Sequence, residues 1–178
     1  MSSAYASLPM EHERCDACGF DGDRYTDSSL LDALRALGPR WRALLDRSGG
    51  SLRERPEAGV WSAIEYAAHS RDITALHAFG VEQALTLDEP SFPAIAEDLV
   101  DSAAATYNRA DPVEVVDALE PHANRLAQLA GDADPDQWSR GLTIGEDRTD
   151  VRRLLEHGLH DSLHHLDDVE RGLARLAK

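Results

Sequence analysis

The sequence predicts an all-α fold built on four long helices, on three observations. Apolar residues recur at spacings of three and four along four segments, start and stop residues bracket those segments, and no useful length of alternating apolar and polar residues occurs. The chain has 178 residues, a length suited to one domain that buries a sizeable core.

The first helix is predicted from about Ser28 to Asp46. Leu30, Leu31, Leu34, Leu37, Trp41, Leu44 and Leu45 form its stripe, and Ser48-Gly49-Gly50 ends it. The second starts at Ser62, where Glu65 three residues on completes a capping box and Trp61 serves as a hydrophobic staple, and it runs to about Leu87. Pro90 and Pro93 then force a break, and residues 95–108 read as a short extra helix. Asp111 followed by Pro112 opens the third main helix, with Val113, Val116, Leu119, Leu126 and Leu129 on its buried side and Pro121 implying a kink. Residues 131–147 read as a loop carrying Trp138, and the last helix spans about Thr149 to Leu176. Residues 1–26 have no helical period and form an N-terminal extension with a Cys-x-x-Cys element; residues 27–178 form the bundle.

Composition excludes several function classes. Thirty-three acidic against 18 basic residues leave a net charge of −15, and the only Lys is Lys178, so a nucleic-acid backbone would be repelled. No apolar run approaches the roughly 20 residues that cross a bilayer, and the N-terminus lacks a secretory pattern. Two cysteines, Cys15 and Cys18, are too few for a disulfide framework. These features point to a cytoplasmic protein that binds neither nucleic acid nor membrane; composition leaves monomer and homodimer equally open.

The polar residues at interior positions carry the chemistry. On a helix turning about 100° per residue, His69 falls among Ile73, Leu76 and Gly80 and points inward. The last helix holds four of the eight histidines, and Val151, Leu155, Leu159, Leu166, Val169 and Leu173 define its buried stripe. Asp161 and His165, one turn apart, lie at the margin of that stripe, whereas His160 and His164 fall nearly opposite its centre. Rotation therefore favours Asp161 and His165 as the pair facing His69, with His160 and His164 as the second choice. A desolvated carboxylate among imidazoles asks for a compensating cation, and two His with one Asp leave coordination positions open, as catalytic metal sites do. Asp72 and Asp168 are spaced to orient the imidazoles from behind.

At these residues the chain resembles the DinB/YfiT-like helical bundles, a family that includes mycothiol-dependent maleylpyruvate isomerases and bacillithiol or mycothiol S-transferases. Trp61 and His69 match its first motif; Asp161, His165, Asp168 and Val169 match its second, with Asp161 where many members carry Glu or His. The resemblance covers about residues 28–176. It implies an up-down-down-up four-helix bundle holding zinc, or else nickel or iron, and a low-molecular-weight thiol such as mycothiol as co-substrate.

Cys15-x-x-Cys18-Gly19-Phe20 is a half-site of zinc-ribbon type. His12 is a candidate third ligand, with a fourth from the body or a second subunit; free thiols are the alternative. Two functions follow. One is a metal-dependent thiol S-transferase or isomerase acting on an electrophile, with Arg71 and Arg153 as candidates for binding a substrate carboxylate. The other is a non-catalytic, stress-associated metal-binding bundle, dimeric in one version.

Overall fold

The computed structural model describes residues 11–94 and 96–178. Two short strands open it, β1 (Arg14–Cys15) and β2 (Phe20–Asp21), followed by α1 (Asp27–Arg35), α2 (Leu37–Ser48) and α3 (Ala63–Thr86). Next come β3 (Ser91–Phe92), α4 (Glu97–Tyr107), α5 (Pro112–Gly131), β4 (Gly141–Ile144), β5 (Asp147–Asp150) and α6 (Val151–Leu176). Among the described residues no helix is long and apolar enough to cross a membrane.

The predicted first helix is two helices meeting at Ala36. Pro39 explains the division: without an N–H it cannot bond back to Arg35, so it is accommodated in the first turn of a new helix. The second helix begins as expected, with Glu65 accepting from the Ser62 backbone N–H at 2.8 Å and hydroxyl at 2.7 Å. Arg55 closes over that carboxylate, which is buried. Asp111 caps α5 by accepting from Val113 N and Glu114 N, and α5 runs through Pro121 as one helix.

Two small sheets correct the strictly all-α expectation. The predicted loop 131–147 contains a 3-10 turn at Pro135–Ser139 and most of the β4–β5 hairpin, which turns at Gly145 with φ +65°. The other edge of β4 pairs in parallel with β3. The remaining sheet is the antiparallel pair β1–β2.

Helix packing runs in a ring. The α1–α2 pair packs on α5, α5 on α3, α3 on α6, and α6 back on α1–α2, while the diagonal pairs touch little. Leu30, Leu34, Leu37, Trp41, Ile64, Leu119, Leu126, Leu155 and Leu159 fill the centre. Trp41 is fully buried and its Nε1–H donates to Ser162 Oγ at 2.7 Å, tying α2 to α6. The α3–α6 contact is close because small residues line it: a Cβ at Gly158 would lie 3.3 Å from the His77 ring, and one at Gly80 3.2 Å from Leu154. That contact brings the polar residues of the two helices together.

Candidate metal centre

His69 of α3 and Asp161 of α6 are buried, and His165 lies one turn beyond Asp161. Asp161 Oδ1 is 3.5 Å from His69 Nε2 and 3.5 Å from His165 Nε2, so three donors from two helices converge. Asp168 lies behind His165: its Oδ2 accepts from His165 Nδ1–H at 3.0 Å, which turns Nε2 toward Asp161. The second Asp161 oxygen, Oδ2, is buried and has no hydrogen-bond partner.

Electrostatics follow from that geometry. Burial by itself would raise the Asp161 pKa, but the two imidazoles outweigh it and hold the carboxyl well below its usual range. Burial likewise opposes charge on His165, yet Asp161 and Asp168 prevail and push its pKa up to about 9. The pocket is one that favours positive charge. It also carries an orphaned carboxylate oxygen, and its donors are the hard-to-intermediate N and O types that divalent ions take, so the residues present fit a metal ion.

Aromatic rings wall this cluster. Trp61 lies 5.3 Å from the His69 ring, Tyr66 4.8 Å from His165 and Tyr107 6.4 Å from His69, between centroids. The His165 side chain keeps 18% of its exposure, against 9% for His69 and 8% for Asp161, so the centre is approached from the His165 side.

A family model for the DinB superfamily matches residues 29–169. The chain belongs to that superfamily. Among solved structures, this DinB superfamily member is similar to YfiT from Bacillus subtilis, described as "a probable metal-dependent hydrolase with an unusual four-helix bundle topology". The two share 17% identity at a TM-score of 0.74, over 85% of this chain and 87% of that one, which establishes a common fold. No curated protein matches the chain.

The structure of this DinB superfamily member separates the candidate residues. His160 and His164, the second choice for facing His69, belong instead to a cluster with Cys15 and Cys18. The β1–β2 hairpin covers their side of α6, with Cys15 Sγ 3.6 Å from His164 Nδ1 and Phe20 stacked on His160. His12 is not part of the cysteine cluster, because its Nδ1–H donates to buried Glu156 at 2.8 Å. Asp72 does not orient an imidazole either. Its Oδ1 accepts from Arg71 Nε at 2.7 Å and its Oδ2 from Tyr107 O–H at 2.9 Å, so it positions an aromatic wall residue. Burial, then Asp72, raises the Tyr107 pKa and keeps the phenol protonated. Of the two candidate substrate cations, Arg71 is thus engaged by Asp72, and Arg153 pairs with Glu156 at 3.2 Å.

Glu13 is the functional residue that sequence reasoning missed. It accepts from His157 Nδ1 at 2.8 Å and His160 Nδ1 at 2.5 Å, and although burial opposes its charge, these two imidazoles bring its pKa down to about 2. A signal existed: His157, His160 and His164 form a second polar stripe on α6, and such a stripe needs a partner.

Proposed function

We propose that His69, Asp161 and His165 hold one divalent ion, zinc foremost, and that this centre serves transfer of a low-molecular-weight thiol, such as mycothiol, to an electrophile. The observation that carries the reading is the placement of two imidazole nitrogens at 3.5 Å from one oxygen of a buried carboxylate. Donors spaced like this lie within reach of one ion bonded to each at about 2.0–2.1 Å, and two imidazoles with one carboxylate are a donor set that zinc takes. Three protein donors leave room for an exogenous one, and the access on the His165 side supports a catalytic over a structural role. The ion supplies Lewis acidity, lowering the pKa of a thiol or water beside it.

The chain's own residues supply the remainder. Asp168 fixes the His165 ring, Asp72 fixes Tyr107, and Trp61, Tyr66 and Tyr107 offer an apolar wall on which an electrophile packs while bulk water is displaced. On this reading the helices follow an up-down-down-up course, and the protein works in the cytoplasm on small molecules rather than nucleic acid. A hydrolytic reading, with water in place of the thiol, is favoured by the description of YfiT alone.

The test uses tag-free protein loaded with zinc, nickel or iron. Loaded protein is expected to accelerate attack of mycothiol or a related thiol on a haloarene, with release of halide, or on an epoxide, with ring opening to the alcohol, and His69→Ala to lose both ion and rate. Ester hydrolysis without thiol would instead select the hydrolytic reading. If loaded protein binds no thiol and hydrolyses nothing, while metal removal lowers the thermal midpoint sharply, the centre is structural and the catalytic reading is wrong.

A further inference from the structure

We propose that Cys15, Cys18, His160 and His164 form a second metal site, closed and tetrahedral, in which zinc clasps the N-terminal hairpin to α6. It shares no donor with the centre at His69. One donor atom from each of the four side chains lies within 4.8 Å of all the others. Cys15 Sγ is 3.6 Å from His164 Nδ1, and a tetrahedral ion with bonds of about 2.3 Å to sulfur and about 2.1 Å to nitrogen has an S–N edge of about 3.6 Å.

Local structure prepares each donor. Cys15 ends β1 and Cys18 lies in the turn before β2, where Gly19 takes φ +73° and its N–H donates to Cys15 O at 2.8 Å. That left-handed turn folds the chain back so that both sulfurs face one side, and a residue with a Cβ would be strained there. His160 and His164 are one turn apart on α6 and so project together. Glu13 takes the Nδ1–H of His160 and leaves its Nε2, which is buried and has no hydrogen-bond partner. That pattern of carboxylate, imidazole and lone pair is how a histidine is held for a metal. Phe20, buried, stacks on the His160 ring with centroids 5.0 Å apart and so fixes the ring's plane.

Four protein donors of S2N2 type, in the order Cys-x2-Cys then His-x3-His, fill a tetrahedron and leave no position for substrate. The site is therefore structural, and the reason is visible in the chain: β1 and β2 are two residues each and cannot hold a hairpin on a helix by backbone pairing alone. The clasp also abuts the first centre. Asp168 Oδ2, which accepts from His165, lies 3.6 Å from His164 Nε2, so the two ligand sets adjoin at one carboxylate.

The experiment is metal analysis and cobalt substitution of full-length, tag-free protein prepared under reducing conditions. We expect about two zinc ions per chain in the wild type and about one in each of Cys15→Ser/Cys18→Ser and His69→Ala. Cobalt-loaded wild type and His69→Ala should show a thiolate-to-cobalt charge-transfer band, and Cys15→Ser/Cys18→Ser should not. Should the cysteine variant not fold, chelator-stripped wild type titrated with cobalt gives the same readout: a saturable thiolate band supports the site. Absence of that band, or a zinc content unchanged by the cysteine substitutions, overturns it, and neither result depends on whether His69 binds metal.

Discussion

Lowering the pH should unfold this protein partly through one histidine outside both clusters, His77. It is 2% exposed; its Nδ1–H donates to Ile73 O at 2.7 Å, and its Nε2 is buried with no hydrogen-bond partner. Burial, followed by repulsion from His157 with ring centroids 5.2 Å away, brings its pKa from 6.5 down to about 4, while the hydrogen bond to Ile73 O, then Asp161 and Glu13, partly oppose that shift. The folded pKa lies below the unfolded one, so between pH 6.5 and 4 the unfolded chain binds a proton that the folded chain refuses. Stability from this group is therefore complete above pH 6.5 and lost as the pH falls toward 4. A difference of 2.5 units, taken from those two values, corresponds to about 3 kcal/mol at full extent. The assay is urea unfolding at a series of pH values for wild type and His77→Asn, whose side-chain amide can still donate to Ile73 O. The variant is expected to be less stable at pH 7, from lost volume, but to lose about 3 kcal/mol less on acidification. Parallel stability curves across that range would refute the argument.

Three further outcomes are expected. Gly38→Ala should destabilise by about 1–3 kcal/mol, read as a lower thermal midpoint, because the new Cβ would stand 2.6 Å from Glu120 Cβ and 3.1 Å from its Cα where α2 crosses α5. Trp41→Phe and Ser162→Ala should each cost about 1–3 kcal/mol in denaturant unfolding, with a double mutant less costly than their sum, since both remove the same buried hydrogen bond. His165→Ala should release the ion shared with His69 while sparing thiolate-bound metal, and His160→Ala should do the reverse; equal effects on both pools would contradict the division of the two clusters.

Helix starts were the most legible features of the chain, because their determinants are local. Ser62 with Glu65, and Asp111 with Pro112, act within four residues of one another, and the helices begin where those pairs place them. The strands were not legible. Two residues of β3 pair in parallel with β4 some fifty positions later, and segments that short carry no alternation to read. Pro39 was a local signal passed over, since the leucine stripe continues across it while the backbone hydrogen bonding does not.

The same distinction runs through the candidate site. A helix turns through a constant angle per residue, so the sequence by itself determined that Asp161 shares a face with His165, that His160 shares one with His164, and that the two faces differ. It also placed Asp168 within reach of His165, three residues away. What covers each face depends on chain segments more than a hundred residues distant. Only the tertiary structure decided that α3 brings His69 to Asp161, that Glu13 and the Cys15–Cys18 turn lie over His160 and His164, and that Asp72 reaches Tyr107 rather than an imidazole. Those contacts follow from how small residues at Gly80 and Gly158 let α3 and α6 approach, and from where Phe20 finds a buried surface, neither of which is written in any local spacing.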